Sequence, residues 1–222
     1  LKNFTIQNSA DMDTGSGEPG AGVVIGDFAN TYSGCVVENN TITNNDNGVI
    51  LILADSNTIQ NNTIENNSNW GLALAASSGN TVESNEFAGN QADTIALANA
   101  SDLGGDPSVG SNNNSFKGNT ITSGGNCGFY FGMNCDNNSI TDGNDISGLT
   151  TNDAIAIFLH FSDDNTVSGN TISGNSYGIR MRSASDNTIS GNTVTDNTGY
   201  GIEVSSAIQS ALSENNVINS NT

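Results

Sequence analysis

From Asn165 the chain reads NTVSGNTISGNSYGIRMRSASD and then NTISGNTVTDNTGYGIEV, the second line repeating the first after 22 residues. Each line carries three short apolar pulses. They are Val167, Ile172 and the run 179–181, then Ile189, Val194 and the run 202–204. Asn, Gly, Ser and Thr fill the gaps. A fixed period constrains the fold more than any other feature, because each repeat buries its apolar side only by stacking on its neighbours.

The register extends along the whole chain. The Asn that precedes the first pulse falls at Asn57, Asn80, Asn114, Asn138, Asn165 and Asn187, with Cys35 in the same slot earlier and Ala211 later. The steps are 22, 23, 34, 24, 27, 22 and 24 residues. The first pulse is then Val37, Ile59, Val82, Phe116, Ile140, Val167, Ile189 and Leu212. The second is Ile42, Ile64, Phe87, Ile121, Ile146, Ile172, Val194 and Val217. The third begins on a small residue, as in GVILIL from Gly48, GLAL from Gly71, GFYF from Gly128 and GIRM from Gly178.

Three pulses per period leave no room for a helix, and no apolar spacing of helical period is present. Short β-branched or aromatic runs bounded by turn formers are strands. At about 3.3 Å per residue, a coil of this length with three bends closes on itself and stacks on the next at roughly 4.8 Å. The expected fold is all-β, a single-stranded right-handed parallel β-helix of eight to nine coils of 22–24 residues with three strands each. Residues 1–222 form one domain, with insertions near 9–21, 99–113 and 147–153. The opening LKNFTIQN matches VVENNTITN and the chain stops inside a repeat, so a mature piece or fragment of a longer solenoid is expected.

The pattern NTIxxNTIxxNxxGIxL resembles the right-handed parallel β-helix repeats of the pectate-lyase-like superfamily. These include repeats of carbohydrate-binding and sugar-cleaving proteins and of archaeal surface proteins. The resemblance covers nearly the whole chain. It specifies the scaffold and leaves function open, since the repeat residues are structural.

Charge narrows the partners. Four basic residues against 23 acidic ones give a net charge of −19. That excludes nucleic acid, which needs a basic footprint. It also opposes unaided attraction to polyanionic sugars or anionic lipid. No run is long and apolar enough to span a membrane. The sequons at Asn3, Asn39, Asn61, Asn66, Asn99, Asn113 and Asn137 are permissive of glycosylation on a secreted or cell-surface protein.

Several positions carry candidate chemistry, each beside a plainer reading. Asp11, Asp13 and Glu18 sit in a Gly-rich loop where oxygen ligands could converge on calcium, the one cofactor expected; the plainer reading is an acidic surface loop. Cys127 and Cys135 lie too far apart along extended chain for a disulfide, and Cys35 is on a distant coil. The three are candidates for an intermolecular disulfide, or simply inert thiols. Trp70 reads as packing at a bend before it reads as a sugar platform. His160, the only histidine, is structural in the plainer reading.

Alternation along the third strands predicts an outer face of Val24, Ile50, Ile52, Ala73, Ala75, Ala96, Ala98, Tyr130, Ala156 and Phe158, followed by Arg180, Arg182 and Glu203. A broad exposed apolar face marks an interface. The main functional reading is therefore an extracellular structural building block that associates with copies of itself, as a filament, sheath or surface layer, through this face and its open coil ends. The resembled polysaccharide enzymes commonly carry their substrate groove on this same face. The alternative is accordingly a polysaccharide-binding or polysaccharide-modifying β-helix, lyase- or epimerase-like, with Tyr130, His160, Arg180, Arg182 and Glu203 as its cluster. A third reading, periplasmic metal handling, meets one His, three Cys and three Met, which assemble no convincing copper site.

Overall fold

The computed structural model describes residues 1–9, 20–27, 29–103, 106–151, 153–208 and 211–222. The calcium candidates Asp11, Asp13 and Glu18 lie outside them. Each period folds as three short strands, and equivalent strands pair in parallel from coil to coil. The result is three eight-stranded sheets wrapped around one core. We number the coils one to eight by the strands of the third sheet: Ala21–Gly26, Asn47–Ile52, Leu72–Ala75, Ile95–Ala98, Cys127–Phe131, Ile155–His160, Tyr177–Arg182 and Ile202–Ser205.

The aliphatic ladders follow the expected register. Val37, Ile59, Val82, Phe116, Ile140, Val167 and Ile189 stack in the first sheet. Ile6, Ile42, Ile64, Phe87, Ile121, Ile146, Ile172 and Val194 stack in the second. The last coil departs from it. Ile189 pairs with Ile218, so Val217 belongs to the first sheet and Leu212 is not a ladder residue. Asn216, not Ala211, accepts from the Asn187 backbone. The physical reason is that the slot needs an amide to continue the ladder below, which alanine lacks.

Those amides are the second structural element. Asn119 donates from Nδ2 to the Val82 carbonyl at 2.9 Å and to Asn144 Oδ1 at 3.1 Å. Its own Oδ1 accepts from the backbone N and Nδ2 of Asn85, both at 3.0 Å. The pattern recurs up the stack, so polar groups at the bends are satisfied inside the protein. The neighbouring turn position is left-handed, as at Asn61 (φ 54°), a conformation Asn tolerates. In mid-solenoid Phe116 meets Phe129 edge-on at 5.5 Å and Phe131 at 5.8 Å, and all are fully buried.

Several expectations are corrected. Ala156 is a core residue, 0 % exposed. At this position the chain turns the corner into the third sheet, and a Cβ at the equivalent Gly128 or Gly178 would also point inward, at Ile146 or Val194. The outer face is not an exposed apolar sheet over coils two to four: Ile50, Ile52, Ala73, Ala75 and Ala96 are buried. Trp70, Leu53 and Ala21 pack onto this patch, and the 3-10 turn Ala100–Leu103 of the coil-four insertion packs against Leu72–Ala75. Val24, on coil one, is exposed. Cys127 and Cys135 are buried, which removes them from intermolecular disulfides, whereas Cys35 is partly exposed. Asn99 is buried as well, its amide donating to the Met133 carbonyl, so it is no glycosylation site in the folded chain. The other six sequon asparagines sit exposed at left-handed turns.

Candidate functional site

Three outward rows cross the third sheet. The middle row runs Val24, Ile50, Ala73, Ala96, Tyr130, Phe158, Arg180 and Glu203. A second, two residues on, includes Ile52, Ala75, Ala98, His160, Arg182 and Ser205. The third lies before the corner and brings Cys127, Ile155 and Tyr177 into line. The apolar rows are covered over coils two to four, and aromatic and charged side chains take over from coil five.

Of the five residues expected to form a cluster, Tyr130, His160 and Arg182 lie side by side, and Arg180 and Glu203 pair with each other in the middle row. The Tyr130 hydroxyl lies 3.4 Å from His160 Nδ1. His160 stacks on Phe158 at 5.1 Å and tilts against Phe161 at 4.6 Å. Arg180 Nε donates to Glu203 Oε2 at 2.6 Å, one coil away. Arg182 is in register beside His160. Leu97, Ala98, Asn99, Ser101, Tyr130, Gly132, Met133, His160 and Phe161 enclose a pocket of about 250 Å³. Asp163, near His160 in sequence, turns away and accepts from the Ser185 backbone at 2.7 Å.

Electrostatics sharpen the picture. Burial lowers the His160 pKa, and the neighbouring Arg182 cation lowers it further, so the imidazole is neutral at ordinary pH. Lys2 pairs with Glu38, Lys117 with Asp142 and Arg180 with Glu203, whereas Arg182 has no carboxylate partner among the described residues. In a chain of net charge −19, the uncompensated cation sits next to the lone histidine.

Three contributors were not legible in the sequence. Tyr177 and Tyr200 stack at 6.0 Å, and the Arg180 guanidinium lies 4.9 Å above the Tyr177 ring, which makes an aromatic shelf at coils seven and eight. Alternation counted back from Ile179 turns Tyr177 inward. The corner breaks that count, because both position 178 and Ile179 face the core. The GxG context around Tyr200 was the available signal. Asp93 hydrogen-bonds Cys127; burial raises its pKa, and burial followed by the Asp93 charge raises the Cys127 thiol well above its usual range. Cys127 is therefore an unreactive neutral thiol.

Residues 1–148 match the family described as right handed beta helix region, and residues 110–222 the family described as periplasmic copper-binding protein (NosD). The chain belongs to both families. Among solved structures, this β-helix is similar to a mutant of the periplasmic alginate epimerase AlgG, with a TM-score of 0.67 and 16 % identity over 86 % of this chain and 51 % of that one. It also matches the catalytic domain of an α-1,3-glucanase in complex with nigerose, with a TM-score of 0.37 and 13 % identity over 84 % of this chain and 49 % of that one. The chain thus spans about half the length of each. At these identities the first likeness shows the fold alone. No curated protein matches.

Copper in the second family's description has to be met by donors here. Met181 and Cys135 are fully buried in the core, Cys127 is occupied by Asp93, and Cys35 lies several coils from His160. Met133 and His160 share the pocket. Among the described residues no group of three or more His, Cys, Asp or Glu could hold a metal ion. The described residues do not fit a copper centre.

Proposed function

We propose that the outer face of the third sheet over coils five to eight binds an acidic polysaccharide outside the cytoplasm and transfers a proton at the carbon next to a uronate carboxylate. One observation carries this reading: a neutral His160 stands between the Tyr130 hydroxyl and the uncompensated Arg182. Proton abstraction beside a carboxylate needs a neutral base and a cation that offsets the growing negative charge. His160 takes the carbon-bound proton, and the electron pair moves into the carboxylate, where Arg182 offsets it. The Tyr130 hydroxyl returns a proton to the carbon, and the imidazolium then gives its proton to the Tyr130 oxygen it faces, which restores both groups and consumes no co-reactant. Tyr177, Tyr200 and Phe158 supply faces on which sugar rings stack.

The similar fold of a periplasmic alginate epimerase supports the same class of substrate. The building-block reading has lost its main support, since its apolar face is largely buried within the chain. The test is incubation of the protein with polymannuronate and polygalacturonate in deuterated water. Deuterium should enter at the carbon beside the carboxylate, and both His160→Gln and Arg182→Ala should abolish this. Wild-type exchange no faster than in buffer, on both polymers, would sink the proposal.

A further inference from the structure

The face on which this reading rests has a wall at one end. Over coils two to four the outward rows are occupied: Ile50, Ile52, Ala73, Ala75 and Ala96 are all below a tenth exposed. The wall is the insertion of coil four. Its 3-10 turn Ala100–Leu103 lies against Leu72–Ala75. Ala100 N donates to the Val109 carbonyl at 2.7 Å, which closes the loop back on itself. Asn99 fastens it to coil five: Oδ1 accepts from Ser101 N at 2.9 Å, and Nδ2 donates to the Met133 carbonyl at 3.2 Å. Both side-chain ends of Asn99 are thus used in holding the wall.

At the foot of the wall lies the 250 Å³ pocket, with Leu97, Asn99 and Ser101 on one side and Tyr130 and His160 on the other. Gly132 keeps it open. A Cβ there would stand 3.3 Å from the Tyr130 ring and 3.1 Å from the Leu97 carbonyl, and a longer side chain would fill the space. The volume falls short of the roughly 300–1,000 Å³ of sites that enclose drug-sized ligands, so it suits a single sugar ring. From coil five to coil eight the open face runs three coil spacings, roughly 14 Å.

We infer that the site recognises the end of a uronate chain: the terminal ring enters the pocket against the Asn99–Ser101 wall, and the next rings run over Arg182, Arg180 and the tyrosine shelf. An interior stretch of polymer cannot occupy the pocket, because its continuation would have to pass through the coil-four insertion. This rests on the proposed polysaccharide reading and adds to it that the site works from chain ends.

The test is calorimetric titration of oligomannuronates and oligogalacturonates of two to eight units and of the long polymers, each with native ends, with the reducing end converted to the alditol, or with the non-reducing end blocked. Affinity should stop rising beyond three or four units. Long polymer should bind one protein per chain, and one of the two end modifications should weaken binding tenfold or more. Gly132→Leu should weaken the short oligomers by a similar factor with its thermal transition retained. Several proteins bound along one chain, with both end modifications tolerated, would overturn end recognition while leaving uronate binding intact. No binding to any uronate, blocked or free, would defeat both readings. The blocked-ligand arm needs no variant, so it decides the question even where Gly132→Leu does not fold.

Discussion

At the scale of single residues, the environment of His160 sets a pH dependence. Its pKa is lowered from 6.5 by burial and by Arg182. As pH falls, the unfolded chain binds its proton before the folded one does. The stability contributed by the neutral imidazole is therefore complete above pH 6.5 and is lost as pH drops through the folded value. A histidine NMR titration should place the midpoint below 6.5 and show it rising in Arg182→Ala. Uronate turnover should follow the same curve and level off above it. A midpoint above the ordinary value would remove His160 as a neutral base. The cysteines give a second check. Cys35 is partly exposed, whereas Cys127 and Cys135 are buried. A thiol reagent should modify one cysteine in the native protein and all three only after denaturation, because reactivity needs both access and thiolate.

At the scale of strands and turns, the asparagine ladder holds the bends as firmly as the aliphatic ladder holds the core. Asn119→Ala would take the acceptor from the buried Asn85 backbone N–H, leave Asn85 Nδ2 with only the Ile59 carbonyl, and leave the Val82 carbonyl without its side-chain donor. At about 1–3 kcal/mol for each buried group left unpaired, the loss should be roughly 2–4 kcal/mol by urea denaturation. A loss under about 0.5 kcal/mol would show that water replaces the amide at no cost. Phe129→Ala, which empties a site packed on Phe116, should cost about 3–5 kcal/mol. These elements were legible in advance because equal residues recur at equal spacing. What was not legible sits where spacing or alternation breaks. Ala211 and Leu212 sat at the expected step, but Asn216 and Ile218 carry the ladder. Ala156 sits on the outer face only if alternate residues are counted through a corner where two successive side chains face the core, and the same corner hides the outward turn of Tyr177 from such a count. The pairing of Arg180 with Glu203 and the line of Tyr130, Phe158 and Arg180 follow from register alone, so they were anticipated. The coil-four wall depends on how an aperiodic insertion folds over the sheet, and no repeat encodes that.

At the scale of the whole molecule, net charge and local charge act in opposite directions. The chain carries −19, yet the proposed contact with a uronate carboxylate is made by Arg182, which lacks a carboxylate partner among the described residues. An approaching polyanion is repelled by distant carboxylates and held by one close cation. Salt distinguishes the two by range. Going from about 10 mM to about 100 mM shortens the screening length from about 30 Å to about 10 Å. Most of the repulsion is then cut off, while a contact within hydrogen-bonding distance is little affected. Uronate affinity should therefore rise with salt over this range, by roughly threefold or more, the reverse of what a basic binding face shows. The same screening relieves repulsion within the solenoid, so its thermal transition should move upward too. With Arg182→Ala the rise in affinity should disappear along with the binding itself. Affinity that falls steadily from the lowest salt would mean that a basic surface other than Arg182 draws the polymer in, and the site would have to be sought elsewhere.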